Sequence, residues 1–268
     1  MTDSESSFSW PITWALPHGV HALCTTRLGG VSQPPFNSFN LGDHVQDDPR
    51  AVAQNRSLLE QQLAPASAVF LKQVHGVNCI ELSAQTAHGT TADACWTSDT
   101  EVACTIMVAD CLPLLFVDEG GCVVGAAHAG WRGLAAGVVE KTLEAVCAAA
   151  GVQARQVKVW LGPCIGAQAF EVGQDVLTAF KADAADPSST AIQYFKTFVT
   201  GKDKTRQKWL FDLAGMARCL LQQAGVVDIS GNDSSAEWCT VSQKSRFFSY
   251  RRDGVTGRFA VCIWRGGR

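Results

Sequence analysis

The segment Glu101–Gly133, EVACTIMVADCLPLLFVDEGGCVVGAAHAGWRG, sets how the rest of the chain is read. Two apolar runs in it each end on a side chain able to ligate a metal or attack a carbonyl. Val102 to Ala109 delivers Asp110 and Cys111, and Cys122 to Ala127 delivers His128. Both runs are short, apolar and rich in β-branched residues, so they predict strands buried on both faces. Gly130-Trp131-Arg132-Gly133 follows and leads into a helix-forming segment. A reactive side chain at the carboxyl end of a strand, then a glycine turn and a helix, is a common way to build a site. A third run, Ala68 to Val74, ends on His75. The pattern predicts a His, a Cys and a His, each where a strand stops.

Composition narrows what such a site can serve. With 268 residues, 47% of them apolar, the chain can bury a sizeable core. A net charge of −3 with no long run of one sign argues against a nucleic-acid partner, which requires a basic face. Arginines gather near the C-terminus, at Arg246, Arg251, Arg252, Arg258, Arg265 and Arg268, where a solvated hairpin around Asp253-Gly254 is expected. Eleven cysteines include no C-x-x-C pair, and their odd number argues against a disulfide framework. Most read as small buried hydrophobes. The opening MTDSESSFSW is acidic and polar, unlike a signal peptide. Residues 1–12 are expected to form a disordered tail and 13–268 a single catalytic domain. No apolar stretch is long enough to span a membrane. A cytoplasmic protein acting on a small molecule is the expectation, and a monomer, since there is no coiled coil or long exposed apolar helix.

Along the chain, strands and helices alternate loosely, without linker or repeat. Val20–Thr26 reads as a strand leading to Arg27 at a glycine turn, where the arginine either holds an anion or lies on the surface. Asp48-Pro49 is an N-cap with proline at the first helical position, and the helix runs to Leu63. A strand follows over Ala68–His75, with a partner over Asn78–Ser83. Asp93, in Thr91-Ala92-Asp93-Ala94, leads into the central strands and is expected to face the site. Leu112–Val117 follows, then a turn over Asp118–Gly121. Helices are expected over Leu134–Ala150, Phe170–Ala182 and Leu210–Ala224, and strands over Gln156–Leu161 and Ile192–Val199. Asp183–Lys208 reads as a polar excursion. Cys164 also sits at a strand end and competes with Cys111 for attention. The fold class is one mixed α/β (α+β) domain.

A thiolate and two imidazoles suit zinc or copper. Three protein ligands leave a fourth position open, as in catalytic zinc sites. Blue copper needs an axial Met. Met107 lies four residues before Cys111, about 13 Å along a strand, so zinc is favoured. The same residues also serve a nucleophilic chemistry: Cys111 attacks a carbonyl, His128 or His75 acts as base, and Asp110 or Asp93 orients the histidine. Residue types leave both readings open. No G-x-S-x-G, H-E-x-x-H or P-loop is present.

Three segments, Lys72-Gln73-Val74-His75-Gly76, Ala109-Asp110-Cys111-Leu112-Pro113 and Ala127–Gly133 (AHAGWRG), resemble the central motifs of one family. Upstream, Thr25–Ser32, Asn40-Leu41-Gly42 and Asn55-Arg56 add to the likeness. Downstream, Gly162–Gly166, Phe248–Arg252 and Thr256-Gly257-Arg258 do the same. The family is the YfiH-like, laccase-domain group of purine nucleoside phosphorylases, formerly classed as multicopper polyphenol oxidases, and the likeness covers about residues 20–265. It implies a layered αββα-type sandwich shared with a set of cysteine hydrolases, and zinc held by His75, Cys111 and His128. It implies phosphorolysis of adenosine, inosine and methylthioadenosine, with adenosine deamination as a second activity. Some bacterial members are linked to peptidoglycan precursor editing, which keeps a Cys111 amidase acting on UDP-MurNAc-serine as an alternative. A copper-dependent polyphenol oxidase is the other. Within this reading Cys111, His75, His128 and Asp93 are the catalytic residues. Arg27, Asn40, Gln73, Arg132 and Arg251 are the expected substrate contacts.

Overall fold

A computed structural model describes residues 8–183, 189–198 and 207–266. The first elements are β1 (Ser9–Trp10), β2 (Val20–Thr25), α1 (Pro49–Leu63), β3 (Ser67–Phe70), β4 (Cys79–Glu81) and β5 (Ala94–Thr97). The central segment gives β6 (Val102–Val108), β7 (Leu112–Asp118), β8 (Val124–Ala129), α2 (Trp131–Ala135) and α3 (Val138–Ala150). Next come β9 (Val157–Leu161), β10 (Glu171–Val172), α4 (Gln174–Ala179), β11 (Phe195–Phe198) and β12 (Lys208–Phe211). The chain closes with α5 (Leu213–Gln223), β13 (Asp228–Gly231), α6 (Tyr250–Asp253) and β14 (Phe259–Arg265).

Two mixed sheets stack face to face. One runs β1-β2-β14-β6-β3 and the other β13-β9-β7-β8-β5-β4; a small sheet, β10-β12-β11, lies beside them. Alternation along each strand divides three cores. On β6, Val102, Cys104, Ile106 and Val108 face the inter-sheet core, while Ala103 and Met107 pack under α1. On β7, Leu115 and Val117 join the same inter-sheet core, whereas Leu112, Leu114 and Phe116 face α3 and α5. The layers are therefore α1, sheet, sheet, and α3 with α5: an αββα sandwich of mixed α+β class. Strands apolar on both faces are what this stacking demands.

The helices form where capping and periodicity place them. Asp48 accepts from the Arg50 N–H at the start of α1, with Pro49 as its first residue. Val52, Asn55, Leu59 and Leu63 are its buried face. Asn55 in that apolar row holds the preceding loop: it accepts from Val31 N and donates to Ser32 Oγ and to the carbonyls of Ser38 and Asn40.

Several expectations need correction. Residues 8–12 of the expected tail are part of the fold, because Ser9–Trp10 pairs with β2 and Trp10 packs into the inter-sheet core; residues 1–7 lie outside the described residues. The strand expected to reach His75 stops at Phe70, and His75 sits in a left-handed turn at φ 62°. His128 lies within β8, not just after it. The helix expected over Leu134–Ala150 breaks at Gly137, whose φ of 93° no helix accommodates. The helices expected from Phe170 and Leu210 begin later, at Gln174 and Leu213, because short strands of the small sheet precede them. No C-terminal hairpin forms: Tyr250–Asp253 is one helical turn, and β14 pairs with β2 and β6 across the middle of its sheet. Of the excursion, residues 184–188 and 199–206 lie outside the described residues. No described helix is long and apolar enough to cross a membrane.

The inter-sheet core should dominate stability. Ile106, fully buried on β6 between the sheets, is the position to test. Ile106→Ala is expected to lower the unfolding free energy by roughly 2–5 kcal/mol in a urea titration, with an unchanged m-value. A loss below about 1 kcal/mol would mean that the sheets do not pack there.

Candidate active site

Strands β6 and β7 are consecutive in sequence but belong to different sheets. Three residues, Ala109, Asp110 and Cys111, carry the chain across. Asp110 takes φ 93°, a left-handed conformation that Asp tolerates better than most residues. Both of its carboxylate oxygens are engaged: Oδ1 accepts from Thr240 Oγ1 at 2.6 Å and Oδ2 from Arg251 N at 2.7 Å. Asp110 therefore anchors the crossing and α6, and it does not orient a histidine. The crossing leaves Cys111 half-buried at the mouth of the sandwich.

A second carboxylate brings the histidines to it. Asp93 is fully buried just before β5. Its oxygens accept from His75 N at 2.8 Å, Gly76 N at 2.7 Å and Val74 N at 3.1 Å, a cradle of successive backbone N–H groups. The same carboxylate accepts from His128 Nδ1 at 2.9 Å, and the Asp93 carbonyl accepts from His128 N at 2.7 Å. One side chain thus fixes the turn that carries His75 and the ring of His128. Because the carboxylate only accepts, it holds the proton on Nδ1 and leaves Nε2 of a neutral ring free to ligate. Burial alone would raise the Asp93 carboxyl, but the His128 and backbone hydrogen bonds outweigh it and hold it below the usual carboxylate range.

The ligand atoms of His75, Cys111 and His128 lie within 4.8 Å of one another, with His75 Nε2 3.7 Å from Cys111 Sγ. Two ligands of a tetrahedral zinc, at about 2.0–2.3 Å from the ion, stand roughly 3.5 Å apart, so this donor set fits one such ion. Among the described residues no other group of three such donors converges. Gly130 leaves the cluster its room: a Cβ there would stand 2.7 Å from His75 Cδ2 and 3.0 Å from Cys111 Sγ. Without an ion the group is an acid–base pair. Burial would raise the Cys111 thiol, but His128 and His75 outweigh it and bring it down to about 6. Burial would lower His128, but the thiolate and Asp93 raise it to about 9. Cys164, by contrast, is buried away from the cluster and its thiol is pushed far up by burial.

The cluster floors a cleft of about 1030 Å³, large enough for a nucleoside-sized ligand. Arg132 lines it and stacks on Trp131 at 4.2 Å. Arg251 also lines it, over Phe170 and donating to the Glu171 carbonyl at 3.1 Å. Three expected contacts lie differently. Arg27 does not line the cleft; its guanidinium donates to the carbonyls of Asn37 and Lys244 and packs on Phe248, tying two loops. Asn40 is fully buried and holds Gly42, Asp47 and the Arg258 N–H. Gln73 borders the cleft, but its amide is paired on both atoms with the Met107 backbone. Asp93 does not reach the cleft, so it is a positioning residue. Sequence reasoning gave no role to Arg56, Arg258 and Tyr250, which all line the cleft. The available signal was Asn55, a polar residue in the apolar row of α1: it marks a loop held against the helix, with Arg56 beside it.

Comparison with known proteins matches residues 21–266 to the family model described as multi-copper polyphenol oxidoreductase laccase. Purine nucleoside phosphorylase PA4543 of Pseudomonas aeruginosa is 47% identical over 251 residues, which cover 94% of this chain and 96% of that one. Purine nucleoside phosphorylase YfiH of Escherichia coli is 42% identical over 252 residues, with the same coverage. Among crystal structures, protein NMB0706 of Neisseria meningitidis superposes with a TM-score of 0.86 at 42% identity, covering 97% of this chain and 100% of that one. YlmD of Geobacillus stearothermophilus superposes with a TM-score of 0.81 at 28% identity over 97% of this chain.

The thiolate is the reactive form of Cys111, so its alkylation reports the pair. In chelator-treated protein, iodoacetamide labelling at Cys111, followed by peptide mass mapping, should rise with pH through a midpoint of about 6. Labelling is lost as pH falls below that midpoint. Asp93→Ala removes one support of the imidazolium and should move the midpoint upward. An ordinary thiol midpoint of roughly 8.5 in the unsubstituted protein would contradict the pairing.

Proposed function

The chain belongs to the multi-copper polyphenol oxidoreductase laccase family, its relatives above carry the name purine nucleoside phosphorylase, and on that premise we propose that it is a purine nucleoside phosphorylase. The observation that carries the reading is a nucleoside-sized cleft floored by the His75–Cys111–His128 cluster and walled by arginines. Adenosine, inosine and methylthioadenosine are the proposed substrates. A phosphate oxygen bonds to C1′ as the bond from C1′ to the base nitrogen breaks. The base leaves with the bonding electrons, and the proton of the phosphate ends on the base. The products are a free purine and a ribose 1-phosphate.

His75, Cys111 and His128 would hold a zinc ion. Bound there, zinc would polarise a substrate oxygen or lower the pKa of a coordinated water. The remaining work falls to the chain itself. Asp93 keeps His128 in one tautomer and holds the 74–76 turn in place. The Trp131 and Phe170 rings offer apolar faces to the purine. Arg132 and Arg251 place permanent donors beside them, where negative charge develops on the departing base. The cleft excludes part of the solvent, which strengthens each of these contacts. Adenosine deamination in the same cleft is the second activity of this reading: water adds at C6 of the purine and the amino group leaves as ammonia, so inosine would form without phosphate.

A second reading rests on one specific feature, the Cys111 thiolate paired with a His128 that Asp93 orients. That is the arrangement of a cysteine amidase. It is separated by chelation, which an amidase of this kind survives.

The test is adenosine incubated with the purified protein, with and without phosphate, before and after metal removal. Phosphate-dependent adenine that vanishes on chelation and returns with zinc is the expected result. Cys111→Ala should lower both turnover and bound zinc by more than about 100-fold, and Asp93→Asn by roughly 10- to 100-fold. Full zinc and full turnover in Cys111→Ala would place the site elsewhere.

A further inference from the structure

Away from the aromatic side of the cleft, two arginines converge on the loop that runs from Asn40 to His44. Arg56 is fixed at one end: Nε donates to the Leu41 carbonyl at 2.9 Å, and the guanidinium stacks on Phe70 at 4.0 Å. Its Nη2 is shielded from solvent and pairs with Asp43 Oδ2 at 3.2 Å. Arg258 enters from the start of β14. Its N–H donates to Asn40 Oδ1 at 2.8 Å, and its stem crosses Gly42 so closely that a Cβ there would stand 2.8 Å from Arg258 Cγ. Nη1 donates to the carbonyls of Thr256 and Gly257. Both arginines act electrostatically on His44, which also lines the cleft, and Arg258 acts on Cys111 and Tyr250. Burial is the leading influence on both guanidinium groups and lowers both pKa values. Asp43, ion-paired with Arg56 and His44, is mostly exposed and screened, and Asp110 acts on Arg258.

We propose that Arg56, Arg258 and His44 form a phosphate-binding subsite at this end of the cleft. Two guanidinium groups present several N–H donors in fixed forks, which match a tetrahedral dianion better than a planar carboxylate or a neutral group. The Arg56 guanidinium, held by the Leu41 carbonyl on Nε and by Asp43 on Nη2, keeps its fork fixed in the cleft. Arg56 and Arg258 line the same cleft as His75, Cys111 and His128, so a dianion at the arginines shares it with the cluster. The purine then occupies the Trp131–Phe170 side, with the ribose between. Use of this phosphate as the attacking group rests on the phosphorolysis reading; its binding does not. Asn40 gains its role here, since its amide shapes the loop on which both arginines rest.

The test is calorimetric titration of the zinc-loaded full chain with inorganic phosphate, without nucleoside. Saturable binding is expected, weakened roughly tenfold or more in Arg56→Gln and in Arg258→Gln, and unchanged in the exposed α1 control Arg50→Gln. If a Gln variant fails to fold, Arg56→Lys decides. It keeps the charge but loses the fork, and it binds phosphate more weakly only if the subsite is here. Phosphate binding unaltered in these variants, or no binding to the unsubstituted protein, would overturn the assignment. Titration with AMP separates the two sources of the group. Under the proposal, phosphate binds alongside saturating adenosine, and AMP binds no more tightly than adenosine. AMP that competes with phosphate and binds more tightly than adenosine, with both effects lost in Arg56→Gln, would keep the subsite but assign it to a nucleotide and overturn its use for free phosphate. Steady-state kinetics then distinguish the two claims. Phosphorolysis with an unchanged KM for phosphate in Arg56→Gln overturns the subsite alone. Phosphate binding lost in the variants, with no phosphorolysis by any form, overturns the reaction alone.

Discussion

The Asp93 carboxylate lies fully buried between the 74–76 turn and β8, accepting from three successive backbone N–H groups and from the His128 ring. A buried carboxylate without such partners is costly, and here every partner also has a positional duty. The turn holds a left-handed His75, a conformation that costs of order 1–3 kcal/mol unless its surroundings fix it. The ring of His128 is aimed at Cys111 by the same contact. Loss of the carboxylate would release two members of the cluster at once, although Asp93 itself never meets the cleft.

The third member depends on a different constraint. Cys111 is placed by the passage of the chain from one sheet to the other between β6 and β7, with Asp110 pinned by Thr240 and by the Arg251 N–H. Two sheets stacked through apolar faces cannot shift relative to one another without opening the core that Ile106 and Val261 share with Leu115 and Val117. The site is therefore built on rigid elements at the seam of the sandwich. Arg56 and Arg258 come from α1 and from the segment before β14, on the five-stranded side. Its aromatic walls come from α2 and from the chain before β10, on the other side.

The sequence made the seam legible because β6, β7 and β8 are apolar on both faces, a pattern that only a sandwiched strand tolerates, and because the reactive residues interrupt it. The N-cap at Asp48 and the helix behind it were legible for the same local reasons. Long-range pairing was not. The C-terminal arginines with Asp253-Gly254 resemble a hairpin, yet β14 pairs with β2 and β6, more than a hundred residues away. Arg27 and Gln73 carry the residue types of ligand contacts, but backbone groups use them up, at Asn37 and Lys244 for Arg27 and at Met107 of β6 for Gln73. Asn40 fails likewise: its partners at Gly42 and Arg258 show only when the chain is folded. Arg56 and Arg258 lie in Asn55-Arg56 and Thr256-Gly257-Arg258, yet nothing local shows that residues about 200 positions apart meet in one cleft.

One ion has to meet three side chains from three separate segments at this site. X-ray absorption at the zinc edge of the reconstituted protein reads that directly. The expected spectrum has one sulfur at about 2.3 Å and two imidazole nitrogens at about 2.0 Å, with a further light ligand completing the shell. A shell without sulfur, or with only oxygen neighbours, would mean that Cys111 does not hold the ion, and the assembly argued from Asp93 and the β6–β7 crossing would fail as an account of the site.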